Sequence, residues 1–156
     1  MQELTVNLHI HTTYSDGSAT HAQIADAALK AGVDVLIVTD HNVLVKDMDR
    51  YYHSPTRNLL MIIGEEIHNP LKKPQGDHLI VMGVDKEMSN YANNTQNLID
   101  RVNKENGICF IAHPFEDSLP QFGEKDIPWT NWEVEGYTGI EIWNNLSELK
   151  TVMKNY

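Results

Sequence analysis

Histidines and carboxylates recur along this 156-residue chain at spacings that suit metal chemistry. His9 and His11 stand two apart, with Asp16 five residues on. Asp40 and His41, Glu65 and Glu66 with His68, then His78, His113 and Glu141 follow. Neutral imidazole and carboxylate together favour Zn²⁺, Mn²⁺ or Fe²⁺ over Ca²⁺ or Mg²⁺. Such ions, held close together, activate water and polarise a phosphoryl or carbonyl oxygen. No G-x-S-x-G elbow, P-loop or dinucleotide fingerprint offers a competing chemistry.

Those side chains act together only if the surrounding elements deliver them to one place. "TVNLHIH" alternates as a strand, with Val6, Leu8 and Ile10 on one face and Asn7, His9 and His11 on the other. "THAQIADAALKAG" reads as a helix, with Thr20 and Gln23 as a capping box and Gly32 as its stop. "VDVLIVTDHN" is a strand covered on both faces. The pattern predicts a helix within "VLVKDMDRYYH", the strands "LLMIIGEEIHN" and "DHLIVMGV", and a helix near "TQNLIDRVNKENG". The strands "GICFIAHP" and "GIEIWN" and a last helix, "LSELKTVMKNY", complete the series. Strands alternating with helices indicate an α/β layer or barrel on parallel strands. The long connection from Phe115 to Tyr137 carries Trp129 and Trp132 and reads as a lid or substrate loop with a helical turn.

On this reading nearly every strand ends in metal-capable side chains, and in parallel barrels those ends form the active face. A period of two sends His9 and His11 to the same side. Each residue also has an ordinary alternative: His41 caps the next helix, His78 pairs with Asp77, and Glu141 sits solvated on an edge. His21 and His53 lie outside the strand ends and read as surface residues. The shared position of the others favours the metal reading, because imidazoles and acids brought together without an ion carry a desolvation cost.

Composition bounds the function. The net charge of −10, from 12 basic and 22 acidic side chains, argues against a broad nucleic-acid surface. It leaves an anionic substrate open, since bound cations reverse the local field. Cys109, the single cysteine, sits between Ile108 and Phe110 and reads as a buried, reduced thiol. No stretch resembles a signal peptide or a bilayer span, so a cytoplasmic protein, without membrane contact, is expected.

The motifs "HIHTTYSDGS", "TDHN", "GEE", "DHLIVMG" and "AHP", in this order over residues 7–114, resemble the PHP superfamily (polymerase and histidinol phosphatase domains). "GIEIWN" is similar to its carbaryl-hydrolase-like branch. The resemblance implies a distorted (β/α) barrel and a di- or trinuclear site for Zn, Mn or Fe. It implies that His9 and His11 hold a first metal and that Glu66 bridges first and second, with Glu65 facing away. His78 and His113 would complete the second metal; Asp16 and His41 would hold a third. Asp40 would lie beside the cluster as a catalytic residue, orienting a ligand or moving a proton, with Glu66 the other.

One departure matters: the family's terminal Asp-x-His does not occur here. The expectation is therefore one α/β domain over residues 1–156, a PHP-type barrel incomplete at its C-terminus, prone to self-association. The expected activity is that of a phosphoesterase on a small phosphate ester or short nucleotide. Hydrolysis of a carbamate, ester or amide, or an inactive metal-binding domain, are the alternatives. Arg57, Lys72 and Lys73 are candidates for contacting phosphate.

Overall fold

The computed structural model describes residues 3–73 and 75–155. The last residue of the expected final helix, Tyr156, and both ends of the expected domain range lie outside them. The elements run β1 (Val6–Asn7), α1 (His21–Ala31), β2 (Val35–Val38), β3 (Arg50–His53), β4 (Asn58–Ile67), β5 (Leu79–Met82), α2 (Thr95–Lys104), β6 (Ile108–Ile111), β7 (Gly139–Ile140) and α3 (Asn145–Lys154). The strands form one curled sheet in the order β1-β2-β4-β5-β6-β7, with β3 added beside β4. It is an open, incomplete barrel of mixed α/β build.

Strand direction departs from the all-parallel expectation. β1, β2 and β4 run parallel, as do β6 and β7, but β5 is antiparallel to both β4 and β6. The start of β5 therefore lies at the same end as the finish of its neighbours, which is why His78 precedes its strand. β4 is long enough to pair twice along one edge, with β3 through Asn58–Met61 and with β5 through Gly64–Ile67. At the changeover a Cβ on Gly64 would overlap the Val81 carbonyl, so only glycine lets β5 approach.

The helix expected within residues 43–53 is not formed. Asp47 takes a left-handed φ of 62°, which interrupts any helix, and Arg50–His53 pairs antiparallel with β4 instead. Tyr51 and Tyr52 suit a strand better than a helix. β1 is also shorter than expected. Residues beyond Asn7 leave the ladder, although Ile10 still accepts the Thr39 N–H at 2.8 Å. Val6 and Leu8, on the apolar face of the expected strand, are 44% and 53% exposed at the edge of the sheet.

The two faces of the sheet have separate chemistry. On the outer face α1 packs Ile24, Ala25 and Ala28 onto Leu36, Val38, Leu59, Met61 and Ile63. α1 begins with the expected capping box, Thr20 with Gln23, and stops at Gly32. α2 packs Leu98, Ile99 and Val102 onto Leu79, Val81, Cys109 and Ile111. On the inner face Ile37, Ile80, Met82 and Ala112 pack with Val35, Ile62 and Phe110, and Ile80, Met82 and Phe110 of this layer form the floor of a cleft. Alternation along β4 thus sends odd-numbered side chains to the helices and even-numbered ones to the cleft.

α3 is built differently. Its one buried residue is Lys150, while Leu146, Leu149, Val152 and Met153 are exposed. Polar contacts hold it: Lys150 Nζ to Glu116 at 2.5 Å and to Glu124 at 3.3 Å, Ser147 Oγ to Glu116 at 2.8 Å, and Lys154 to Asp117 at 2.8 Å. The 115–137 segment is anchored rather than free. It contains a short 3-10 turn at Pro120–Phe122, buries Trp129 in the α2 core, and is tied by Thr130 and Asn131 to Asp77. Its Glu116, Glu124 and Ile127 line the cleft. No helix among the described residues is long and apolar enough to cross a membrane.

Candidate metal centre

Glu66 is the centre of the cleft. Its carboxylate is 1% exposed and meets five imidazoles. Oε2 lies 3.1 Å from His9 Nε2, 3.0 Å from His11 Nε2 and 3.2 Å from His41 Nδ1; Oε1 lies 2.8 Å from both His78 Nδ1 and His113 Nε2. The residues come from the ends of four strands and the start of β5, so curvature of the sheet focuses them on one point.

Local structure aims each ring. The 12–17 turn folds back on Thr12, whose carbonyl accepts the N–H groups of Ser15 at 3.1 Å and Gly17 at 2.9 Å. Gly17 has no Cβ to collide with the His11 carbonyl. Asp40 braces this turn, its carboxylate accepting from Thr12 N and Oγ1, both at 2.7 Å, and from Ser15 Oγ at 2.6 Å. These are positioning contacts on the turn that carries Asp16, and they engage both oxygens of the carboxylate expected beside the cluster. Alternation would carry His113 to the helix side, since Ala112 lies in the inner layer. A left-handed φ of 25°, rare outside glycine, re-aims the ring. The Glu141 carboxylate secures that strained N–H at 2.8 Å.

Glu141 does more than hold that backbone. Its Oε1 lies 3.0 Å from His9 Nδ1 and accepts from Asn144 Nδ2 at 3.2 Å. A carboxylate on the far nitrogen of an imidazole fixes the tautomer and turns the other nitrogen inward. Sequence reasoning singled out Glu141 without a role; its signal was a place on a strand whose end reaches the cleft. Asp16, on the exposed side, meets His11 Nδ1 at 2.6 Å and His41 Nε2 at 3.5 Å. His68, also left without a role, follows Glu66 by two residues on the cleft face and stacks on His78 with centroids 4.6 Å apart. Glu65 points outward and is wholly buried, accepting the Met88 N–H at 2.8 Å. His53 is exposed as expected, but His21 is 4% exposed, tucked beneath Tyr14 at the first turn of α1.

The electrostatics follow from this crowding. Burial disfavours the Glu66 carboxylate, yet hydrogen bonds from His11, His113, His78 and His9 outweigh it and hold the carboxyl well below its usual range. Burial likewise opposes charge on His9, but Glu141 and Glu66 overcome it and raise its pKa to about 10. His68 goes the other way, to about 4, through burial and the neighbouring His78 and His41.

The donor set fits divalent ions. Ligands at about 2.0–2.1 Å from a tetrahedral ion lie roughly 3.3 Å apart. His9 Nε2 and His11 Nε2 are 3.1 Å from each other and nearly the same distance from Glu66 Oε2. Two imidazole nitrogens that face each other across 3.1 Å invite a shared cation. His78 Nε2 is buried without a hydrogen-bond partner, while His41 Nδ1 and His113 Nδ1 face only the carboxylates of Glu66 at 3.2 Å and Glu116 at 3.5 Å. Donor atoms within 4.8 Å of one another form the groups His9-His11-Glu66, Glu66-His78-His113, His11-Asp16-His41 and His41-His68-His78. The structure thus brings together all seven residues expected as ligands.

A family model, the PHP domain, matches residues 7–132. The chain belongs to the PHP domain family. No curated protein matches it in sequence. Among solved structures, this PHP domain is similar to a two-domain protein from Bacteroides vulgatus ATCC 8482 that contains a predicted PHP-like metal-dependent phosphoesterase. The TM-score is 0.60 at 18% identity, a likeness of fold that covers 97% of this chain and 49% of the other. The PHP domain therefore spans about half the length of that protein.

Proposed function

We propose that this PHP domain is a metal-dependent phosphoesterase acting on a small phosphate ester or a short nucleotide. The observation that carries the reading is the Glu66 carboxylate ringed by His9, His11, His41, His78 and His113 in a cleft of about 790 Å³. His9, His11 and Glu66 would hold one divalent ion, Glu66, His78 and His113 a second, and Asp16 with His41 a more exposed third. Such ions, Zn²⁺, Mn²⁺ or Fe²⁺, bring the pKa of water to near 7 and neutralise charge on the phosphoryl oxygens. Glu66, common to the first two groups, would serve both ions. Glu141 keeps His9 turned inward, Asp40 keeps the 12–17 turn in place, and the exposed side chains of Leu8, Ile140 and Ile142 line the rim of the cleft.

One observation favours a second reading. Lys150 is the one basic residue among the described residues that line the cleft, and Glu116 already pairs with it. The expected phosphate contacts lie elsewhere: Lys72 pairs with Asp77, Arg57 with Asp34, and Lys73 is exposed outside the cleft lining. A mouth without a free cation suits an uncharged carbamate, ester or amide. Turnover of nitrophenyl phosphate, bis-nitrophenyl phosphate and a nitrophenyl ester, each with Mn²⁺ and with Zn²⁺, separates the readings. Phosphate release supports the first, ester cleavage alone the second. No turnover by metal-loaded protein leaves a metal-binding domain without hydrolytic activity.

A further inference from the structure

Four donor groups meet in the cleft, and three of them contain the carboxylate of Glu66 or Asp16. The fourth, His41, His68 and His78, is made of imidazoles alone. Its rings are in contact: His68 lies nearly parallel to His78, with centroids 4.6 Å apart at 16°, and His41 meets both edge-on at 5.1 and 5.5 Å. His68 and His78 are 9% and 3% exposed. Packing leaves a nitrogen of this trio unused: His78 has Nδ1 on Glu66 Oε1, while its Nε2 is buried without a partner. His41 is less enclosed, with Nδ1 3.2 Å from Glu66 Oε2 and Nε2 3.5 Å from Asp16 Oδ2. His68 Nε2 lies 2.8 Å from Gln75 Nε2, and the Asn42 amide nitrogen is at 3.5 Å from its Nδ1. Apolar packing alone gives no reason to bury the His78 Nε2 without a partner among two further imidazoles, since an orphaned polar atom costs free energy.

We propose that His68, with His41 and His78, forms an additional site for a borderline divalent ion such as Zn²⁺, Co²⁺ or Ni²⁺, beside the carboxylate-bridged positions. Three imidazole donors suit these ions and suit Mg²⁺ or Ca²⁺ poorly. His78 enters this site through Nε2 while Nδ1 stays toward Glu66. With ions on both sides of its ring, His78 would be shared as an imidazolate and would release one N–H proton to solvent; His41, common to this group and the Asp16 group, would do the same if both of those positions were filled. Asn42 and Gln75 orient His68, as outer partners of ligating histidines do. The inference rests on the reading of the Glu66 cluster as a metal centre.

Equilibrium dialysis of the full chain against cobalt chloride, with elemental analysis and visible absorption, tests it. His68→Phe keeps a flat ring against His78 and removes both donor nitrogens; His68→Thr removes them with less bulk should the phenyl variant fail to fold. Wild type is expected to retain one more equivalent of cobalt than either variant, or to bind that equivalent at least tenfold more tightly. Equal cobalt content and affinity in wild type and a folded variant overturns this proposal alone. Loss of all cobalt from a folded variant also overturns it, since His68 would then serve the whole centre. Wild type that takes up no cobalt overturns this proposal together with the reading of the Glu66 cluster.

Discussion

Glu65 and Glu66 are neighbours on one strand, both carboxylates, at 0% and 1% exposure. Burial pushes both toward the neutral acid. Glu65, turned toward the helices, finds the Met88 N–H and an apolar surround, and its pKa rises to about 7. Glu66, one pleat away, finds five imidazoles and falls well below the usual range. A shift of one residue in register would exchange them. The outer face of the sheet is therefore a core that tolerates an acid, and the inner face is a polar site that requires one.

Metal content probes that difference most strongly. Ions bound in the cleft should stabilise the fold by about 4 kcal/mol at a thousandfold excess over their Kd. Melting should then fall by roughly 10 °C on chelation and recover with Zn²⁺ or Mn²⁺. No response of the melting curve to chelator or metal would break the contrast between the faces. Next, Glu66→Gln should weaken metal binding more than about 100-fold, measured by competition with a chelating dye, while Glu65→Gln changes it by less than about threefold. Equal losses would mean that the two carboxylates do not differ in role. Glu141→Gln should follow with a loss of about 10- to 100-fold, because His9 keeps its donor but loses the partner that orients it.

A smaller effect sharpens the other side. In wild type Glu65 is protonated when folded up to about pH 7, whereas in the unfolded chain it ionises near the ordinary glutamate value of 4.5. Its folded pKa is raised, so its contribution is full below pH 4.5 and is lost as pH rises toward 7. Glu65→Gln cannot ionise. Denaturant titrations should show wild type losing ground to the variant by at most about 1.4 kcal/mol per pH unit across that window. A difference independent of pH would place Glu65 in a more hydrated setting.

Much of the cleft face was readable from periodicity. Alternation on "LLMIIGEEIHN" separates Glu65 from Glu66 and also places His68 on the cleft side. The capping box on Thr20 marks the start of α1 because its hydrogen bonds are local. Strand direction was not readable: the apolar run before Gly83 looks the same whichever way β5 points, and pairing with β4 and β6 decides it. Tyr51 and Tyr52 joined β3 because an edge of β4 was free to receive them, a long-range fact. His113 reached Glu66 through a single backbone dihedral that breaks the alternation, and Glu141 became meaningful only once the fold laid it against His9.

The attachment of α3 has a consequence for the rate at which parts of the molecule open. α1 and α2 are held by apolar contacts, which salt strengthens, whereas α3 is held by Lys150, Lys154 and its Asn144 cap. The buried Lys150–Glu116 pair resists screening, but Lys154–Asp117 and the contact to Glu124 lie largely in water. Amide exchange in α3 should accelerate with ionic strength while that in α1 and α2 does not. Asn144 also touches Glu141, which orients His9, so each opening of α3 that carries Asn144 with it removes one of the contacts that hold that carboxylate. Ionic strength would then set how often the cleft loosens from one side.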